Sequence, residues 1–222
     1  MTRHDDVPVP PAFLAIARER SLGAPIRVMA GGSRLQAVRG KLMTVGVFEQ
    51  GVVVAPGGDA EPFHFRYDEV ERFTQQITRK YVNGGYRGTD IMCWFGLRDG
   101  RGYRVGGETT RTERHIADDF RELVDPRITA AQLPGMRAAL RQGGRLEFGP
   151  YAIEPDGLSV AVWFNRNRKR LGWAEIEKID VDRGNVKVTA RGRRIAWGLV
   201  SVHRVPNLRA FLTLVHEAGR LG

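Results

Sequence analysis

Trp173–Ile179 reads WAEIEKI, and a near copy, YDEVERF, lies one domain-length upstream at Tyr67–Phe73. At the same offset Gly157 in EPDGLSV falls on Gly51 in FEQGVVV, so aromatic, acidic and aliphatic landmarks and a turn glycine keep register without a gap. This pattern implies one supersecondary unit present twice. It fixes an architecture better than an activity, because none of the landmarks implies a specific reaction.

A chain of 222 residues with 42% apolar content can bury one large core or two small ones, and the repeat favours two. Its 35 Lys and Arg exceed 25 Asp and Glu, a net charge of +10 that is compatible with an anionic partner. The single cysteine, Cys93 in IMCWFGL, excludes a disulfide framework or a cysteine-based zinc site within one chain and points to a reducing compartment. The N-terminal MTRHDDVPVPP has acids and prolines where a signal peptide needs a basic start and an apolar core. No apolar run approaches membrane-spanning length. A soluble, cytoplasmic protein is expected, with peripheral membrane association as the alternative.

Residues 1–10 read as a flexible tail. Residues 11–42 hold a short helix, started by Pro11 and stopped by Gly23, and a lead-in where IRVMA is compatible with a strand. The first repeat is expected over 43–125: strands TVGVF and GVVVA about Glu49–Gly51, then FHFRY, VERFTQQITRKYV, a glycine-rich tip, IMCWFGL and GYRVGG. Thr110 and Glu113 have capping-box spacing, and Ile116, Phe120, Leu123 and Val124 mark a helical face ending at Asp125-Pro126. A connector, 126–144, carries a separate short helix from Pro134 to Gln142.

The second repeat, 145–222, restarts with RLEFGPYAIE and GLSVAVWF, passes KRLGW, IEKIDVD, VKVTA and RRIAWGLV, and ends in a helix capped by Asn207. Phe120, Leu123, Phe211 and Val215 are expected to close the two cores. Short strands followed by one amphipathic helix, twice, have a simple solution: a bent antiparallel sheet or partly open barrel closed by its C-terminal helix. The fold class expected is α+β, mainly β.

EFGPYAIEPDGLSV, LGWAEIEKIDVDRGNVKV and IAWGLVSVHRVPNLRAFLTLV together resemble a bacterial tandem PH-like family of unknown function, within the pleckstrin-homology-like superfold. The similarity runs from about Met43 onward and is strongest in the second repeat. Its motifs carry no catalytic residue, so the resemblance implies a binding or scaffold protein rather than an enzyme.

The residues themselves offer little chemistry. His4, His64, His115, His203 and His216 share no metal-ligand spacing, and Cys93 sits among large apolar residues as a packed thiol. Gly84-Gly85 and Gly106-Gly107 lack a phosphate-loop fingerprint, although the second pair precedes a helix start. The carboxylate pairs Asp118-Asp119, Glu175 with Glu177, and Asp180 with Asp182 read as solvated faces. Trp173 and Trp197 read as core anchors. No catalytic, cofactor-binding or metal site is expected.

The exception is NRNRKR at 165–170, where Arg166, Arg168, Lys169 and Arg170 form a basic loop able to bind anions. The corresponding loop of the first repeat, APGGDAEP, is acidic. Two function classes follow. The first is a non-catalytic module that binds a protein partner or self-associates. The alternative is a peripheral binder of anionic lipid headgroups or other polyanions through 165–170, with nucleic acid disfavoured because no nucleic-acid-binding motif is visible.

Overall fold

A computed structural model describes residues 7–31, 43–57, 61–110, 116–161, 168–193 and 195–219. Its contacts divide the chain into two units, Met1–Glu71 with Gln76–Ile128, and Arg72–Gln75 with Thr129–Gly222. Residues 1–6, the stretch RLQAVRGKL, Glu113 and Arg166 lie outside the described residues.

The first unit begins with α1 (Pro11–Glu19), started by Pro11 and followed by left-handed backbone at Ser21 and Gly23. β1 (Pro25–Gly31), β2 (Met43–Phe48), β3 (Gly51–Ala55) and β4 (Phe63–Arg66) then pair in that order as an antiparallel sheet. The Val-rich β3 is buried on both faces, as an unalternating apolar run should be. One reason is α1, whose Phe13 and Ala17 pack with Leu22, Phe48 and Val53. A 3-10 turn, Tyr67–Glu69, leads to a second antiparallel sheet of β5 (Val70–Val82), β6 (Gly85–Leu97) and β7 (Gly102–Thr110). Phe65 and Phe95 stand 4.9 Å apart, and Phe95 meets Phe120 edge-on at 5.8 Å, so a helical phenylalanine closes this core.

The order recurs in the second unit. β8 (Leu146–Phe148), β9 (Tyr151–Glu154), β10 (Gly157–Ala161) and β11 (Arg168–Gly172) form one sheet, a 3-10 turn Trp173–Glu175 follows, and β12 (Ile176–Asp182), β13 (Asn185–Ala190) and β14 (Gly198–Ser201) form the other. α3 (Leu208–Gly219) buries Ala210, Phe211, Leu214 and Val215. Phe211 lies 5.3 Å from both Phe148 and Tyr151. Of the four helical residues expected to close the cores, Phe120, Phe211 and Val215 are buried and Leu123 is half-buried.

The quoted landmarks are the corner between the two sheets of each unit. Glu69 Oε2 accepts the Arg66 N–H at 2.8 Å, and Glu175 Oε2 accepts the Gly172 N–H at 2.8 Å. Tyr67 donates its hydroxyl to the Phe48 carbonyl at 2.9 Å, and Trp173 donates its indole N–H to the Pro155 carbonyl at 3.0 Å. Aromatic-x-Glu therefore satisfies main-chain groups where the chain leaves one sheet for the next. The paired glycines are spacing devices. A Cβ on Gly51 would stand 2.4 Å from the Phe65 carbonyl oxygen, and one on Gly157 would stand 2.3 Å from that of Leu171.

In sequence, α2 (Ile116–Arg141) follows β7 and precedes β8. The expected stop at Asp125-Pro126 and the separate connector helix from Pro134 are thus corrected: one helix passes through both prolines. Ile116, Ala117, Phe120, Val124 and Ile128 are buried, while Leu133, Met136 and Leu140 pack against the core of the second unit. Two smaller corrections concern glycine and the last strand. Gly106-Gly107 lies inside β7 rather than before a helix, and RRIAWGLV contributes strand only from Gly198, with Ile195 81% exposed.

The described residues are α+β and mainly β, with three helices and four antiparallel sheets, none of them closed. No described helix is long and apolar enough to cross a membrane.

Two alanine substitutions should part in sign. Gly157→Ala puts a Cβ against a strand carbonyl and should lower unfolding free energy by about 1–3 kcal/mol. Gly135→Ala, inside α2 with nothing within 4 Å of the added Cβ, should raise it by about 0.5–1 kcal/mol. Urea denaturation of the two variants beside the parent chain measures both, and equal midpoints would contradict the corner geometry.

Candidate functional site

Strand alternation separates the cations that the sequence groups together. Arg168, Lys169 and Arg170 lie on β11, not in a loop, so Arg168 and Arg170 share one face and Lys169 has the other. Arg168 Nη2 donates to the Pro150 carbonyl at 3.1 Å, and its Nη1 stands 3.6 Å from Glu147 Oε1. Arg170 pairs with Asp156 and, at 3.1 Å, with Glu154 Oε2. Glu154 also accepts the Ser159 hydroxyl at 3.1 Å and lies 3.7 Å from Arg145, itself 2.9 Å from Glu147. Three arginines thus face three carboxylates, which leaves little field for an incoming anion.

Lys169, opposite Val160 in the ladder, is exposed and has no ion pair among the described residues. It borders a cleft of about 800 Å³ whose wall includes Pro150, Trp197, Leu199 and Arg204. An ammonium, a guanidinium and an indole around one opening suit a phosphate or carboxylate group bearing an apolar portion. Trp197 packs against the core as expected and also borders this opening, whereas Trp173 packs against the core and donates its hydrogen bond.

A second depression, about 370 Å³, runs between β12 and α3. Ile179, Val181, Leu212 and Val215 give it apolar walls, and Glu177, Lys178, Asp180 and His216 border it. Val181 faces the same way as Val186, its fully buried ladder partner, yet is 47% exposed. Lys178 Nζ stands 2.5 Å from Asp180 Oδ2. Sequence reasoning missed this groove. Its signal was Val181, which strand alternation turns to the same face as Ile179.

The remaining candidates carry structure. No group of three His, Cys, Asp or Glu among the described residues is arranged to hold a metal ion. Asp118 pairs with Arg121 at 3.1 Å, Asp119 with Arg27 at 3.5 Å, and Glu175 holds its corner. Burial, reinforced by Arg20 and Arg101, holds the His64 pKa below the usual imidazole value. Asn207 stands just before α3 as expected, its C=O accepting the Phe211 N–H at 2.9 Å, and its side-chain oxygen also accepts the Phe73 N–H at 2.8 Å and the Gln132 amide at 3.4 Å.

Cys93 is fully buried, and burial pushes its thiol up to about 12. A neutral, enclosed sulfur is a poor nucleophile. The folded chain should leave Ellman's reagent unreacted at mildly alkaline pH and consume it stoichiometrically once denatured; rapid reaction in the native state would contradict the placement.

Comparison with the curated proteins finds no match. Residues 26–220 match a family described as "Family of unknown function (DUF6585)", and the chain belongs to that family.

Proposed function

We propose that the chain is a non-catalytic binding or scaffold protein built from two pleckstrin-homology-like modules, and that its partner is a protein bound at the groove between β12 and α3. The recurring order of four strands, a 3-10 corner, three strands and a helix supports the modular part of this reading. The single observation that supports the protein partner is Val181, an inward-facing strand residue left half in water beside Leu212. Exposed apolar surface rimmed by charge is the usual mark of a protein contact. A sheet edge adds main-chain donors and acceptors to it.

The cleft beside Lys169 supports a second reading, a peripheral binder of anionic lipid headgroups or other polyanions. Arg168 and Arg170 already hold carboxylates, and Lys169 is the exposed cation of β11 that borders the cleft. At about 1 kcal/mol per cation near an anionic surface, Lys169 gives weak, salt-sensitive attachment.

A photo-crosslinking residue placed at Val181, and separately at Lys169, tells the readings apart in living cells. The expected result is a discrete protein adduct at Val181. An adduct at neither position, or lipid alone at Lys169 together with sedimentation on acidic vesicles that Lys169→Ser/Arg204→Ser abolishes, would overturn the protein reading.

A further inference from the structure

β5 and β12 are corresponding edge strands, each running straight from its 3-10 corner, so Phe73 and Ile179 occupy the same position. At Phe73 the free edge is taken. Its carbonyl accepts the Asn207 N–H at 2.7 Å and its N–H donates to Asn207 Oδ1 at 2.8 Å. Asn207, with φ of 52°, thus stands against β5 as one residue of a neighbouring strand would.

At Ile179 the corresponding groups have no such partner among the described residues. Ile179 stands opposite Val188, whose carbonyl accepts the Trp197 N–H at 2.8 Å and so points towards β14. In an antiparallel ladder the N–H and C=O of one residue point to the same side, and the residue opposite points the other way. The Ile179 N–H and C=O therefore face out from the sheet on the side of β12 that has no strand neighbour among the described residues.

Charge narrows what can come there. Ile176–Asp182 carries Glu177, Asp180 and Asp182 against one base, Lys178, whose ammonium Asp180 already holds, on a chain with net charge +10. We propose that β12 receives an extended segment of a partner protein, with Lys or Arg alternating with apolar residues. It adds as a strand whose main chain pairs with Ile179 and whose apolar side chains enter the space beside Val181, Leu212 and Val215. This rests on the protein-binding reading of the groove and names its occupant. The β12 edge of a second copy is a poor occupant, since the same carboxylates would meet across the junction.

The test uses the full chain and fluorescent peptides of about nine residues, long enough to span a strand. One alternates Val and Lys, one alternates Val and Glu, and one is the Val/Lys peptide with alternate backbone nitrogens methylated. The Val/Lys peptide should bind saturably and about tenfold more tightly than either other peptide. Val181→Asp, which fills the groove with charge, should weaken it, and Glu177→Lys/Asp182→Lys should reverse the preference between Lys and Glu. Equal binding of the methylated peptide overturns strand addition, and preference for the Val/Glu peptide overturns the basic occupant; in both cases a protein adduct at Val181 would still uphold the protein-binding reading. Binding of no peptide overturns the inference and leaves the β12 charges as protection of a sheet edge. A dimer in sedimentation that Val181→Asp dissolves would seat a second copy there and overturn it too.

Discussion

Everything in each unit depends on how the chain turns from its first sheet into its second, and a glutamate makes that turn possible. Leaving a sheet strips a segment of its ladder partners, and a buried main-chain group without a partner costs about 1–3 kcal/mol. Glu69 and Glu175 supply an acceptor to the N–H three residues earlier, and the aromatic residue at the front of the turn donates to the preceding hairpin. The glycine at the start of the third strand lets the fourth come close enough for this to work. The three together set the angle between the sheets, and with it the space that the phenylalanine of the closing helix fills.

The same weighing of terms explains α2. A proline inside a helix costs about 3 kcal/mol, and α2 holds Pro126 and Pro134. Continuing past Pro126 buries Ile128 completely and Leu133 in part, and continuing past Pro134 partly buries Met136 and Leu140. Full burial of such a side chain contributes about 1.5–3 kcal/mol, so Ile128 together with the three half-buried side chains works against the cost of the prolines. Local rules predicted a stop because they count only the backbone, while the side chains beyond the proline decide the outcome.

That contrast sets what the sequence could disclose. The aromatic-x-Glu corners, the turn glycines and the apolar stripes of the closing helices were legible because each rests on residues within a few positions of one another. The basic run NRNRKR was legible as composition, but the division of its described part was not: alternation on β11 and the distant carboxylates Glu147, Glu154 and Asp156 set Arg168 and Arg170 apart from Lys169. Asn207 was legible as the start of the last helix, but its bonds to Phe73 were not, because that partner is remote in sequence. The β12 groove was hidden for a similar reason, because strand alternation shows that Val181 points inward but not how far the last helix reaches over it.

The two corner strands show how one backbone plan supports two fates for a sheet edge. After the corner, β5 carries Thr74 and Gln76 where β12 carries Asp180 and Asp182. Neutral side chains let a piece of the chain's own backbone settle against Phe73, because no charge has to be stripped of water as it arrives. Carboxylates at the matching places oppose the same approach by a neutral segment, since stripping water from Asp182 and from the Lys178–Asp180 pair works against the one or two main-chain bonds gained. They penalise a basic segment far less, because its cations replace the water they remove. A change of two side chains is therefore enough, on the same main chain, to turn an edge that the protein satisfies internally into one that selects against its own kind and in favour of positive charge.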